Sequence, residues 1–215
     1  MPNAQSLGHT RLAACVAALL AAGACSGSSS EPAATVAPPT NAPLERGESE
    51  APDQQQFAYF AGGCFWGVEH FLEQMDGVFE VESGYMGGTK DNPTYEDVLT
   101  HATGHLEAVR VRFDPAKVSY RALAKRFFEI HDPTQRDGQG PDIGNQYLSA
   151  VFYVDDDQKR DTEALIDLLE ERGYDVATTV RPADDFWMAE GYHQDYYART
   201  GKTPYCHARV RRFDD

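Results

Sequence analysis

The sequence predicts an α+β fold, a mixed sheet with helices packed against it. Three observations lead there. Strand-type and helix-type patterns alternate along the last three-quarters of the chain, which is enough for one layer of each. Two adjacent strand signals precede the helix that starts at Ser119, an order that suits α+β layering better than a doubly wound parallel sheet. No Gly-rich phosphate loop follows a strand, so a nucleotide-binding βαβ unit is not expected.

The elements follow in order. Phe57 to Ala61 is a short apolar strand, and Val68 to Met75 has helical spacing. Val78 to Tyr85 is a second strand, closed by Gly87-Gly88, and Asn92-Pro93-Thr94-Tyr95 opens a short helical turn. Leu106 to Phe113 alternates and stops at Asp114-Pro115. Ser119 can cap a helix whose Leu123, Phe127 and Ile130 share one face and which Pro133 ends. Gln135 to Asn145, rich in Gly and Asp, is expected to be loop, and Tyr147 to Val154 a strand. Asp155-Asp156-Asp157 puts acids at the start of a helix bearing Leu165, Leu168 and Leu169, closed at Arg172-Gly173. Val176 to Val180 is a further strand, Phe186 to Ala198 a last helix, and the tail beyond Arg199 is irregular.

The 215 residues fit one domain plus extras, and a net charge of −15 argues against a nucleic-acid partner, which needs a basic face. Residues 1–24 hold no acid and one arginine, Arg11, followed by an apolar run from Leu12 to Ala22 that is too short to span a bilayer but suits an export signal. The small residues before Cys25 resemble a bacterial lipoprotein signal, with Cys25 as the lipidated first residue of the mature chain; Ala22-Gly23-Ala24 also fits ordinary cleavage after Ala24. Residues 25–54, made of Ser, Pro, Ala, Gly and Glu, cannot bury a core and are read as a disordered linker. The folded domain is then 55–215. An exported protein, in the periplasm or cell envelope and attached to a membrane through Cys25, is the expectation.

Four cysteines are too few for a disulfide scaffold in a chain this long. Cys64 stands in Gly63-Cys64-Phe65-Trp66-Gly67, where a strand hands over to a helix. Free N–H groups and the helix dipole there favour a thiolate, and Phe65 and Trp66 offer an apolar wall beside the sulfur. His101 and His105 have metal-like spacing but no third ligand in pattern, so no metal site is assigned.

Several stretches, in one order, resemble the A-type peptide methionine sulfoxide reductases. They are Gly63-Cys64-Phe65-Trp66-Gly67; Gly84-Tyr85-Met86-Gly87-Gly88 with Asn92-Pro93-Thr94-Tyr95; Thr103-Gly104-His105-Leu106-Glu107; His131-Asp132-Pro133; Asp142-Ile143-Gly144-Asn145-Gln146-Tyr147; Tyr192-His193-Gln194; and Tyr205-Cys206. The resemblance runs from about Phe57 to Cys206 and implies a two-layer α+β sandwich related to ferredoxin-like folds. It implies reduction of the S-epimer of methionine sulfoxide, free or in proteins, by a chain expected to be a monomer. Cys64 is then the nucleophile that becomes a sulfenic acid, and Glu107 the acid that protonates the departing oxygen. Glu107 must be neutral for this, with its pKa raised by a dry site. Tyr95 and Tyr147 would point their hydroxyls at the sulfoxide oxygen, Asp142 would orient substrate, and Phe65 and Trp66 would hold its methyl group. Cys206 would resolve the sulfenic acid from a tail able to swing to Cys64. No cofactor is bound, and a thioredoxin-like protein would reduce the resulting disulfide. Two rivals stay open: a thiol peroxidase, and a binding lipoprotein with a structural Cys64–Cys206 disulfide.

Overall fold

The structure is a computed structural model that describes residues 55–214. The export signal, Cys25 and all of the linker lie outside the described residues. The described chain runs β1 (Gln56–Gly62), α1 (Phe65–Glu73), β2 (Val78–Met86), α2 (Tyr95–Leu99), β3 (Leu106–Phe113), α3 (Tyr120–Ile130), β4 (Gly138–Gln139), β5 (Asp142–Ile143), β6 (Ser149–Tyr153), α4 (Asp156–Glu171), β7 (Thr179–Pro182), β8 (Trp187–Met188) and α5 (Tyr196–Thr200). Among the described residues, no helix is long and apolar enough to cross a membrane.

Six strands form one sheet in the order β7-β6-β1-β3-β2-β8, while β4 and β5 make a separate ribbon. Neighbours are antiparallel except β6 and β7, which are parallel, so the sheet is mixed. The period-2 alternation of β1 and β3 sorts side chains to two faces. Ala58, Phe60, Val109, Val111 and Phe113 pack with Val68, Leu72, Leu123, Phe127, Leu165 and Leu169 of α1, α3 and α4. Tyr59, Ala61, Leu106, Ala108 and Phe152 form a smaller cluster on the other face, which Phe186 joins.

Helix starts follow their caps. Thr94 accepts from the Asp97 amide and Asp97 returns a bond to the Thr94 amide, a full capping box on α2. Ser119 and Asp155 cap α3 and α4 through the Ala122 and Gln158 amides.

Three expectations need correction. The stretch Phe186 to Ala198 is not one helix: Phe186 is drawn onto the second face, 5.8 Å ring to ring from Tyr59, Trp187 and Met188 pair with β2, and helix begins only at Tyr196. Gln194 ties the intervening turn to β2 by accepting from the Ser83 amide and donating to the Ser83 carbonyl. Pairing with β2 thus overrides a helix-like spacing. The loop from Gln135 to Asn145 contains the β4–β5 ribbon. The strand expected over Val176 to Val180 lies at Thr179–Pro182, where it can pair with β6.

The antiparallel register brings the C-terminal ends of β1 and β2 and the N-terminal ends of β3 and β6 to one edge. Tyr85 pairs with Glu107 and Gly62 with Ser149. The candidate residues collect there.

Candidate active site

Cys64 occupies the N-cap of α1, and its side chain makes no capping bond, so the sulfur is left for other contacts. Two glycines flank it for different reasons. Gly63 has φ +95°, and a Cβ there would lie 2.4 Å from Gln139 Cβ. A Cβ on Gly67 would lie 2.2 Å from His207 Nδ1. The two glycines therefore let the β4 strand and the C-terminal tail close over the cysteine.

Glu107 belongs to the helix face of β3, in phase with Val109 and Val111, and is 2 % exposed. Its Oε2 accepts a 3.1 Å hydrogen bond from the Phe65 amide. Burial holds the Glu107 carboxyl well above the usual carboxylate range, and the neighbouring Cys64 adds to the rise; the Phe65 amide pulls the other way. That rise favours the neutral carboxyl, the form that can donate a proton.

Cys206 lies beside Cys64. The two sulfurs and an Asp142 oxygen are all within 4.8 Å of one another. Both cysteines are free thiols and both are buried. No swing of the tail is needed, contrary to expectation, because the tail is docked. Arg209 pairs with buried Glu129 at 2.8 Å, the Val210 amide donates to the Glu129 carbonyl, and Arg212 donates to the Phe128 carbonyl. The tyrosine before Cys206, Tyr205, donates to both Asp142 oxygens at 3.1 and 2.9 Å. Among the described residues, Cys64, Asp142 and Cys206 are also the one cluster close enough to share a metal ion.

The expected thiolate at Cys64 is corrected by this packing. The Cys64 thiol is pushed up, first by the proton it shares with Cys206 and then by burial. The Trp66 amide at the start of the helix acts downwards and does not offset them.

Tyr95 and Tyr147 are half-buried and face each other through their hydroxyls. Burial and the nearby Glu107 push both phenols up, Tyr95 to about 12, so both stay O–H donors. Glu190 fixes this corner, accepting from the Tyr95 amide and the Tyr85 hydroxyl, each at 2.9 Å. Phe65 is fully buried and packs on Tyr85, whereas half-buried Trp66 stacks on Tyr196 with centroids 3.7 Å apart. Trp66 Nε1 donates to His193 Nδ1 at 3.1 Å. The His193 ring lies 4.9 Å from Phe65 and 4.6 Å from Tyr95, and burial holds its pKa down. These rings form an apolar, donor-bearing corner next to the sulfurs.

The expected residues therefore converge: Cys64, Cys206 and Asp142 in one cluster, Glu107 under the Phe65 amide, Tyr95 and Tyr147 together. His101 and His105 do not form a site. His105 is buried, its Nδ1 accepting from the Gly88 amide and its Nε2 bonded to the Lys90 carbonyl, while His101 is exposed. Sequence reasoning missed His193, Glu190 and His207. His193 stood in the Tyr192-His193-Gln194 stretch without a role assigned to it, and His207 carried a signal of its own, an imidazole directly after a cysteine.

Comparison with known proteins gives consistent findings. A family described as peptide methionine sulfoxide reductase matches residues 56–215. Peptide methionine sulfoxide reductase MsrA of Thermus thermophilus is 48% identical over 153 residues, covering 71% of this chain and 87% of that protein. Its namesake from Nautilia profundicola is 46% identical over 149 residues, covering 69% and 86%. Among solved structures, methionine sulfoxide reductase A of Corynebacterium diphtheriae superposes with a TM-score of 0.64 at 32% identity, covering 75% of this chain and 80% of that one. Mxr1 from Saccharomyces cerevisiae in reduced form gives 0.68 at 32% identity, covering 75% and 95%.

Proposed function

Because the chain belongs to the peptide methionine sulfoxide reductase family, we propose that Cys64 takes the oxygen of methionine sulfoxide, with Glu107 as acid and Cys206 as resolving thiol. The enzyme is a peptide-methionine (S)-S-oxide reductase that returns oxidised methionine to methionine in protein repair. Its reducing equivalents come from thioredoxin or a thioredoxin-like protein rather than from a bound cofactor.

The observation that carries the residue assignment is the placing of neutral, buried Glu107 one amide away from a thiol that has a second thiol beside it. Cys64 sulfur attacks the sulfoxide sulfur while Glu107 protonates the oxygen. The oxygen passes to Cys64 as a sulfenic acid and methionine leaves with two electrons more than the sulfoxide had. The Cys64 thiol proton replaces the one that Glu107 gives up, so the step consumes one thiol, makes one S–OH and returns Glu107 to its neutral form. The Tyr95 and Tyr147 hydroxyls stabilise charge on the oxygen as it develops, and Trp66, Phe65 and His193 seat the methyl group. Asp142, held by Tyr205, orients the substrate beside the sulfurs. Cys206 then attacks the sulfenic sulfur, water departs, and a Cys64–Cys206 disulfide awaits the reductant.

The reading also includes export. A signal over residues 1–24, a linker over 25–54 and a lipidated Cys25 would place the reductase domain, 55–215, in the cell envelope, where oxidised exported proteins are the substrates. The supporting features are the apolar run after Arg11 and the Ser-rich stretch after Cys25. Mass spectrometry of the mature N-terminus tests this: a diacylglyceryl-modified Cys25 supports anchoring, an N-terminus at unmodified Cys25 shows simple cleavage, and an intact Met1 sinks export.

Activity is tested with dithiothreitol and the separate S and R epimers, wild type beside Cys64→Ser. Reduction of only the S epimer, and only by wild type, is expected. Peroxide turnover in place of sulfoxide turnover would favour the thiol peroxidase instead.

A further inference from the structure

His207 is not used by the scheme above, yet it is built into the site. It is 5 % exposed. Its Nε2 lies 2.7 Å from the Gly62 carbonyl oxygen, an acceptor only, so Nε2 carries the ring proton. With that tautomer fixed, Nδ1 is left as an acceptor, and it stands 3.0 Å from Cys206 Sγ. The donor in that contact is therefore the Cys206 S–H. The ring rests in the slot made by the missing side chain of Gly67, in the first turn of the helix that Cys64 caps. Backbone of β1 thus orients an imidazole onto one thiol, the same logic by which a carboxylate orients the histidine of a nucleophile–base pair.

We propose that His207 is the general base of the resolving step, taking the proton of Cys206 as Cys206 attacks the Cys64 sulfenic acid. This rests on the reading of Cys206 as the resolving thiol. The step balances without an outside oxidant. The Cys206 S–H bond breaks towards Nδ1, and an S–S bond forms to Cys64. The Cys64 S–O bond breaks, and its hydroxyl leaves as water with one proton, which the imidazolium's release makes good. Cys206 sulfur is oxidised by as much as the sulfenic sulfur is reduced. Burial lowers the His207 pKa, and Asp142 together with the Gly62 carbonyl acts in the opposite sense; His131 is the other titratable imidazole coupled to it. The ring is thus neutral and ready to accept at pH 7.

The test uses the full chain, one equivalent of free S-methionine sulfoxide and no reductant, and reads two steps separately. Methionine released reports the first step; loss of titratable thiol, with dimedone trapping of sulfenic acid, reports the second. His207→Ala empties the slot at Gly67, and His207→Gln fills it while supplying no basic nitrogen. The expected result for both is disulfide formation slower by about 10²-fold, within the usual range for a general base, with sulfenic acid trapped in its place. The deficit should shrink as pH rises and hydroxide takes over the role of the missing base, and added imidazole should speed His207→Ala. Wild-type disulfide rates in both variants would overturn the proposal. So would a deficit equal at every pH, which would mean that His207 only props up the tail. Cys206→Ser separates the two readings. If its sulfenic acid disappears as fast as in wild type, Cys206 is not the resolver, and the base role falls with it. If sulfenic acid persists in Cys206→Ser while His207 variants resolve normally, the base role alone fails.

Discussion

The Phe65 amide donates to Glu107 Oε2 at 3.1 Å, so the residue after the proposed nucleophile grips the proposed acid. Strand β3 supplies the carboxyl and helix α1 supplies the sulfur, and this bond fixes the distance between the two functions. An amide donor alone would favour the carboxylate, but burial is the larger influence and shifts the balance towards the protonated form.

Glu107→Gln keeps the acceptor for the Phe65 amide and removes the transferable proton. Methionine release in a single turnover should slow by about 10²–10³-fold without loss of folding. In wild type the release rate should fall as pH rises through the elevated Glu107 pKa, because the neutral form is the active one. Rapid-quench profiles should show that decline in wild type and not in the variant.

Tyr95→Phe and Tyr147→Phe each delete one hydroxyl from a facing pair. Each should lower kcat/KM by roughly tenfold, the worth of one hydrogen bond to developing charge. The double variant should differ from the product of the two effects, since the hydroxyls interact. A double-mutant cycle on S-methionine sulfoxide measures the coupling, and strict additivity would refute their acting on one oxygen.

His193→Ala removes the acceptor of the Trp66 indole and a ring that touches both Phe65 and Tyr95. The expected change is a KM several-fold higher with kcat little altered, because the lost contacts seat the methyl group rather than stabilise the departing oxygen. Steady-state kinetics separate the two parameters.

Glu69 lies on the buried side of α1, and burial pushes its pKa to about 8; Glu73, one turn on, reaches about 7, from burial and then the charge of Asp195. A carboxyl raised in the fold contributes stability that is complete below its ordinary range and is lost as pH climbs through the folded value. The melting temperature should therefore fall between pH 5 and 8.5, by about 2–12 °C for a loss of roughly 1–3 kcal/mol. Glu69→Gln should flatten that slope, and thermal unfolding at several pH values checks it.

The sheet and its three long helices were legible because they rest on local signals. Val109 to Phe113 alternates apolar with Arg110 and Arg112, and Ser119 and Asp155 cap where an apolar stripe begins. The failures are places where a distant partner decides. Phe186 to Ala198 reads as helix until β2 claims Trp187 and Met188 and Gln194 binds Ser83. In the site, the residue types were visible through their motifs, and the need for a neutral Glu107 followed from its chemistry. The Cys64 pKa was misjudged because helix-end effects can be read from sequence, whereas a second thiol at the sulfur cannot. His193 and Glu190 gave no sign of their partners, which lie far away in the chain: Trp66 is 127 residues from His193, and Tyr95 is 95 from Glu190.

The docked tail also settles a race. A sulfenic acid that waits can meet a second oxidant and pass irreversibly to the sulfinic acid. Here the second sulfur is already within 4.8 Å, roofed in by buried side chains and tied to α3 through Glu129 and Phe128. With Cys206 as the proposed resolving thiol, the dangerous interval lasts only as long as one bond exchange, with no search by a mobile arm added to it. In surroundings rich in peroxide, where a repair enzyme is most needed, such geometry makes the catalyst its own first safeguard against the damage it removes.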